Sequence, residues 1–336
     1  IILNEVISPN RSTLAGFTEV VGGKADVIVA NPYGITCSGC GYINTDRVTL
    51  TTGTPTIGAD GRLTGFAVKQ GDILISGNGL NASAQQVLDL VARSVKVDGQ
   101  VNAVDLGVAT GANAWDYTSR SVTGAVAASA TVPGYAIDST VLGGMYAGRI
   151  RLMATEAGVG VRMLGDAAAT ADDFTLNAAG QVELRNKISA QQDLRVSSAS
   201  SAAGAIQLSD ASLAAKRDLV LAANQGGVSL AGSALVANND LSLSADRLSD
   251  SASTATLADN NKRFAGRNLN VNVAQTADLN ATSWGAGSAL TATVGSLNVG
   301  SSGAQIYSNG TATLTATSGD LALNTAAVST VNNLDL

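Results

Sequence analysis

The chain has 336 residues, of which 4% are aromatic and 14% are charged, and its formal net charge is −6. This acidic balance argues against nucleic acid as a partner, because phosphate binding requires clustered Lys and Arg. No apolar run approaches the roughly 20 residues of a membrane-spanning helix. So few aromatic residues favour a core of small and β-branched residues stacked in layers.

The first 70 residues contain short apolar runs separated by Gly, Asn, Asp and Pro, which predict strands. The candidates are residues 1–3, 17–21, 27–30, 48–50 and 63–68. Residues 58–61 and 77–79 are Gly-rich and predict tight turns. Ile1 opens on a strand-like run without a charged and apolar leader, so we expect a fragment or processed product whose signal peptide, if any, lies outside it.

A turn and a pair of cysteines follow the third predicted strand. Asn31, Pro32 and Gly34 occupy the positions that these residue types prefer in a type I β-turn. The chain has two cysteines and no histidine, so Cys37 and Cys40 cannot supply the four ligands of a structural zinc site. A redox Cys-x-x-Cys pair would accompany a βαβ pattern, which is not visible. We expect a structural disulfide that holds a bend and contributes about 2 kcal/mol.

Two later stretches have a less regular pattern. Residues 83–92 fit a short helix, but the strict alternation that follows in residues 91–97 favours a strand. Residues 113–142 interrupt the strand rhythm and contain Trp115, Tyr117 and Tyr135, which predicts a loop or flap outside the core. The strand rhythm resumes after Gly148.

From about residue 166 a repeat begins, in which a small polar residue precedes an apolar-x-apolar triplet. The first residues of the units are Asp173, Asp193, Asp218, Asp240, Asn268, Ser296 and Asp320. Their spacing of 20–30 residues, with further short strands between them and no helical periodicity, predicts a solenoid.

A parallel β-helix satisfies this pattern, because each unit is too short to bury its own apolar face. Coiling the chain aligns Leu219 and Leu221 over Leu194 and Val196. With adjacent coils about 4.8 Å apart, roughly fifteen coils would form a rod of about 70 Å. Alternation should direct the middle residue of each triplet outward. The recurrent Asp then suits a turn-capping role.

Catalysis and calcium binding are the alternatives to a purely structural role for the repeat region. A β-helix polysaccharide-degrading enzyme would need converging carboxylates, often with Lys or Arg, for which Asp172, Asp173, Glu183, Asp193 and Arg195 are candidates. The Asp before each strand recurs at one position of the repeat, which argues against a unique site, and a Ser-His-Asp triad is impossible without histidine. Calcium-binding glycine-rich nonapeptides do not recur. Arg149, Arg151 and Arg162 alternate along strands and are typical of a solvated face.

The run NPYGITCSGCGYINTDRVTLTTGTP, residues 31–55, resembles the signature of the two-partner-secretion domain of filamentous-haemagglutinin-like exoproteins. Residues 4–22 and 143–152 resemble the same domain. The resemblance is strong over residues 1–165, whereas residues 166–336 resemble haemagglutinin-type repeats only in a general way. The N-terminal cap of the secretion domain is expected to be missing. Tyr33 replaces the usual second Asn of the family's Asn-Pro-Asn-Gly-Ile pentapeptide.

The resemblance implies an all-β, right-handed parallel β-helix with extra-helical loops or hairpins near the N-terminal half. It implies a non-enzymatic chain without cofactor or metal. Asn31, Pro32, Tyr33, Gly34 and Ile35 are carried over as a secretion motif recognised by the transporter. An alternative of nearly equal weight is that this segment only shapes the first coils.

The resemblance also implies a cognate outer-membrane transporter as partner, acting through its periplasmic domains and barrel. The product would be secreted or held at the surface of a Gram-negative bacterium after passing the periplasm. Family members include adhesins, pore-forming cytolysins and contact-dependent growth-inhibition (CdiA-type) proteins, whose toxin lies at the far C-terminus. The long repeats favour an adhesin or a growth-inhibition stalk, with a target-cell receptor that is a protein or a glycan.

Overall fold

The computed structural model describes residues 1–252 and 262–336, which contain 33 β-strands and no α-helix. No helix that could cross a membrane occurs in these ranges. The chain divides into two compact units, one of residues 1–171 and 177–180 and one of residues 172–176 and 181–336. The all-β fold class predicted from the sequence is confirmed.

The strands up to residue 171 are β1 (Ile2–Glu5), β2 (Ser12–Glu19), β3 (Val27–Ala30), β4 (Ile35–Ile43), β5 (Arg47–Thr51), β6 (Thr54–Ile57), β7 (Leu63–Val68), β8 (Asp72–Ala82), β9 (Val87–Ala92), β10 (Ser94–Val97), β11 (Val101–Thr110), β12 (Asn113–Asp116), β13 (Ser121–Ala125), β14 (Tyr135–Ser139), β15 (Met145–Ala154), β16 (Gly160–Met163) and β17 (Ala167–Ala169).

The later strands are β18 (Phe174–Ala178), β19 (Val182–Ala190), β20 (Leu194–Ser198), β21 (Ile206–Ala215), β22 (Leu219–Ala231), β23 (Ala234–Ala237), β24 (Leu241–Ser251), β25 (Lys262–Ala265), β26 (Asn268–Asn280), β27 (Thr282–Ala286), β28 (Ala289–Val299), β29 (Ala304–Ser308), β30 (Ala312–Ala316), β31 (Leu321–Ala322), β32 (Ala326–Thr330) and β33 (Leu334–Asp335).

The first unit is a parallel β-solenoid in which equivalent strands of successive coils pair in register. One such series runs β1, β3, β5, β9, residues 106–110 of β11 and residues 150–154 of β15. Val27 pairs with Val48, which pairs with Leu88, so apolar residues stack in an inward ladder. All four residues of β3 are buried, because both faces of this sheet are covered, and its apolar run therefore shows no alternation.

The outer face of this sheet is covered by a four-stranded antiparallel sheet of β6, β7, β12 and β13. Phe66, Trp115 and Tyr117 of this layer pack together on Ile28 and Val91 of the solenoid. This antiparallel layer is the extra-helical element that the family resemblance implied.

Ion pairs fasten the covering layer to the solenoid. The buried Asp89 carboxylate receives hydrogen bonds from Arg47 at 3.1 Å and from Arg120 at 2.9 Å. Arg47 also donates to the Tyr117 carbonyl oxygen at 2.7 Å. Its guanidinium carbon lies 3.7 Å from the centre of the Tyr117 ring. Arg120 also donates to the Asp105 carboxylate at 3.0 Å. Burial acts to raise the pKa of Asp105, but the hydrogen bonds and charge of Arg120 outweigh it and hold that pKa below its usual range. Each buried charge is thus compensated.

Several local predictions need correction in this unit. The flap predicted over residues 113–142 is too long, because β14 returns to the parallel sheet and pairs with β10. Residues 77–79 form an irregularity inside the continuous strand β8 rather than a turn that ends it. The short helix that residues 83–92 would fit is absent, because residues 87–92 form β9. The strand favoured over residues 91–97 is present as β10.

The arginines assigned to a solvated face are paired. Arg149 and Arg151 lie 3.6 Å and 3.2 Å from Asp105, and Arg162 lies 2.8 Å from Asp138. Arg162 also covers the ring of Tyr135. The acidic partners lie more than 20 residues away in sequence, and so the local pattern gave no sign of them.

The second unit is also a parallel β-solenoid, and its inward ladders agree with the predicted register. Leu194 pairs with Leu219 and then with Leu241, while Val196 pairs with Leu221 and then with Leu243. All six side chains are buried. The intervening residues Arg195, Val220 and Ser242 point outward and are exposed or half-buried. Alternation along each strand therefore predicted the core correctly.

The recurrent Asp residues cap turns, as expected. The Asp173 side chain accepts a hydrogen bond from the backbone N–H of Asp193 at 2.9 Å. Asp193 does the same for Asp218 at 3.3 Å, and Asp218 does it for Asp240 at 3.2 Å. Hydrogen bonds from Arg217 and Arg195 lower the pKa of Asp193 to about 2, which keeps this cap ionised.

The predicted repeat loses register at its last two units. Leu269 pairs with Leu290, so the coil that follows Asn268 begins near residue 289 rather than at Ser296. Leu297, in the later part of β28, instead pairs with Ala277 in the later part of β26 and with Leu321 in β31. The triplets in the earlier and later parts of β26 and β28 look alike in sequence, so spacing alone could not separate them.

Candidate functional site

Asn31 is fully buried at the turn that follows β3. Its side-chain amide donates to the Asn10 carbonyl oxygen at 2.9 Å and to the Ser12 hydroxyl at 2.8 Å. Its side-chain oxygen accepts from the Tyr33 backbone N–H at 2.9 Å, and its carbonyl oxygen accepts from the Gly34 N–H at 3.0 Å. Asn31 thus builds its own turn and fixes the loop of the preceding coil.

Gly34 meets two separate constraints. Its φ of +107° lies in the region that favours glycine. A Cβ atom at this position would lie 2.6 Å from Nη1 of Arg11. The backbone conformation therefore favours glycine, and a larger residue would also displace the Arg11 guanidinium.

Arg11 joins three parts of this region. Its guanidinium donates to the two carboxylate oxygens of Asp72, each at 2.8 Å. It also donates to the Ile35 carbonyl oxygen at 2.9 Å and to the Thr36 hydroxyl at 2.7 Å. Sequence reasoning missed this residue, since Asp72 lies 61 positions away and no local motif surrounds Arg11.

The exposure of the five motif residues is uneven. Asn31, Gly34 and Ile35 are buried, and Pro32 is half-buried. Tyr33 is 44% exposed. In the folded chain, a partner could therefore contact the Tyr33 side chain but not those of Asn31 or Ile35.

Cys37 and Cys40 are both buried in β4 and are joined by a disulfide. Cys37 stacks between Leu14 and Ile75, and Cys40 continues the next ladder over Leu80. The pairing of β4 with β8 shifts by two residues between Ser38 and Cys40, and Gly39 has a φ of +75°. The disulfide therefore spans a bulge that bends the strand.

No group of three or more His, Cys, Asp or Glu side chains capable of holding a metal ion occurs in the part of the chain that the structure describes. The carboxylates of the repeat region are engaged at turns, where Asp193 is held by Arg217 at 2.5 Å. The chemistry of the motif region is therefore that of turns, ion pairs and one disulfide.

Residues 1–184 match the family model described as the TPS secretion domain. A solved structure, the crystal structure of the filamentous hemagglutinin secretion domain, is similar with a TM-score of 0.55 and 34% sequence identity. That match covers 67% of this chain and 73% of the solved chain.

The chain is also similar to curated proteins of much greater length. A protein named Toxin CdiA from Yersinia pestis is 46% identical over 200 residues, which are 60% of this chain and 6% of that protein. A protein named 16S rRNA endonuclease CdiA from Enterobacter cloacae is 48% identical over 187 residues, which are 56% of this chain and 6% of that protein. The chain therefore matches only a small part of these relatives.

Proposed function

Since this chain belongs to the family of TPS secretion domains, we propose that it is the N-terminal part of a large exoprotein exported by two-partner secretion. The observation that carries this proposal is the family match over residues 1–184 on a parallel β-solenoid with a covering antiparallel sheet. Residues 1–165 form the secretion domain in this proposal, and residues 166–336 form haemagglutinin-type repeats. The product is secreted or displayed at the cell surface of a Gram-negative bacterium.

The whole exoprotein serves as a toxin-delivery stalk for contact-dependent growth inhibition or as a filamentous adhesin. Similarity to proteins named CdiA supports the first role, and similarity to the filamentous hemagglutinin domain supports the second. The nuclease names belong to relatives of which this chain matches 6%, so this region itself acts as a non-enzymatic scaffold.

The partner is an outer-membrane transporter that meets the chain in the periplasm, where the Cys37–Cys40 disulfide forms. We place its recognition at residues 31–35 before the first coils close. Burial of Asn31 and Ile35 in the folded chain supports contact with an unfolded segment. The same residues then build the turn on which later coils stack, so folding outside the cell can favour onward movement.

Replacing Asn31 with alanine tests the recognition role. The turn loses its side-chain hydrogen bonds at a cost of about 1–2 kcal/mol, so refolded protein should keep its β-type circular dichroism spectrum. Export through the cognate transporter, measured as the fraction of chain in the medium, should fall several-fold.

Asn44→Gly is the matched control. Asn44 donates to the carbonyl oxygens of Val20 at 2.7 Å and Gly22 at 2.9 Å, and glycine accepts its φ of 59°. This variant loses comparable turn bonds outside residues 31–35 and should export normally. Unchanged export of Asn31→Ala, or an equal loss in both variants, would remove the recognition role.

A further inference from the structure

A surface groove of about 640 Å³ lies on the outer face of β25, β27, β29 and β32 in the second unit. This volume falls within the range of small-molecule sites. Parallel register places Lys262, Ser283, Gln305 and Ala327 in one column across four successive strands. Ser302 and Thr325 from the adjoining turns complete the wall. The floor is thus polar and mostly uncharged.

An aromatic column runs beside this floor. Phe264, Gly285 and Tyr307 pair across the same strands, two residues along from the polar column and so about 7 Å away. The rings of Phe264 and Tyr307 have centroids 6.4 Å apart and planes inclined by 27°. Strands two coils apart are separated by about 9.6 Å, so the rings lean towards each other over Gly285.

Gly285 makes this arrangement possible. A Cβ atom there would lie 2.2 Å from the Tyr307 ring, so any other residue would displace it. Both rings are half-buried, so part of each remains accessible. The result is one aromatic surface that borders a groove of hydroxyl and amide groups.

Lys262 supplies the charge. Of the described residues that line the groove, Lys262 alone is ionised, and its ammonium lies 5.0 Å from the centre of the Phe264 ring. Lys262, Ser302 and Gln305 are exposed, so their polar groups can exchange water for a ligand. Thr325 is also exposed, but its hydroxyl donates to the Gly300 carbonyl oxygen at 2.7 Å and is left to accept from a ligand.

We propose that this groove binds a saccharide that carries a carboxylate. The C–H face of a pyranose ring packs on the Phe264 and Tyr307 rings, as apolar groups do on aromatic faces. Gln305, Ser283 and Thr325 exchange hydrogen bonds with sugar hydroxyls, and Lys262 pairs with the carboxylate. This assignment goes beyond export and does not depend on it.

Calorimetric titration of the 336-residue chain with two hexasaccharides tests the proposal. The acidic probe is a hyaluronan hexasaccharide, which alternates glucuronate and N-acetylglucosamine, and the neutral probe is chitohexaose. We expect the acidic probe to bind about tenfold more tightly, with a preference that declines as sodium chloride is raised. Binding of neither probe, or equal binding of both, would overturn the proposal.

Variants locate the site. Tyr307→Ala should weaken binding of the acidic probe about tenfold, whereas Tyr307→Phe should retain it. Lys262→Gln should abolish the preference for the acidic probe. If circular dichroism shows that Tyr307→Ala does not fold, Gln305→Ala provides a second variant, at an exposed position, that should also weaken binding of the acidic probe.

Tyr135→Ala is the matched control, because it removes a half-buried tyrosine from the first unit. It should bind as the unaltered chain does. Binding that survives both Lys262→Gln and Gln305→Ala would place the sugar elsewhere and refute this site. Since the assay uses refolded protein without a transporter, its failure is separate from any failure of export.

Discussion

Replacing Arg263 with alanine should destabilise the second unit by about 3–5 kcal/mol, because it leaves a carboxylate buried without its cation. Arg263 and Asp250 are 2% and 0% exposed and form an ion pair in the solenoid interior. Arg263 also donates to the Ser233 carbonyl oxygen, and the indole N–H of Trp284 donates to Asp250 at 2.8 Å.

The two charges interrupt apolar ladders. Arg263 stands between Leu235 and Trp284, and Asp250 stands between Leu230 and Leu279. A charge in either ladder is tolerated because the other charge meets it across the interior. The pair therefore specifies which coils can be neighbours at this level.

The double variant Asp250→Leu with Arg263→Met separates pairing from packing. Replacing both charges with apolar side chains should restore most of the stability lost in Arg263→Ala, since buried ion pairs are often matched by apolar residues of similar size. Urea unfolding gives the stabilities, and hydrogen exchange of β24 to β27 locates the damage. A loss below about 1 kcal/mol for Arg263→Ala would contradict a buried, compensated pair.

Replacing Leu219 with aspartate should cost several kcal/mol, because the new carboxylate would be buried in the Leu194–Leu219–Leu241 ladder without a partner. Leu219 is 0% exposed. Because each coil contacts mainly its neighbours, the loss of hydrogen-exchange protection should concentrate near β22.

Ser242→Asp is the matched control for Leu219→Asp. Ser242 lies on the adjacent strand, points outward and is half-buried, so its replacement should change the free energy of unfolding by less than about 0.5 kcal/mol. The two variants introduce the same carboxylate one coil apart. Equal urea midpoints would contradict the inward and outward assignment of these positions.

Alternation and spacing predicted the fold well where one residue type recurs at one position. Leu194, Leu219 and Leu241 show this clearly, since ladder stacking places like residues over like. The covering sheet was harder to predict, because its two local pairs, β6–β7 and β12–β13, are joined through the pairing of β7 with β12, over a sequence distance that no local pattern reveals. The Asp250–Arg263 pair was missed for the same reason.

The candidate site was predictable as a turn but not as a network. Asn31, Pro32 and Gly34 carry turn preferences that depend only on their own backbone. Arg11 and Asp72, which brace that turn, become neighbours only when three coils are stacked. Burial of Asn31 likewise follows from contact with Asn10 and Ser12 of the preceding coil.

The central proposal is that the 336-residue chain contains the segment that a two-partner-secretion transporter recognises for export. It is tested most directly by fusing the 336-residue chain to a periplasmic signal peptide and measuring its amount in the medium with and without the cognate transporter. We expect the chain to reach the medium when the transporter is present and to remain in the periplasm when it is absent. Retention in the periplasm under both conditions, or equal release under both, would contradict it.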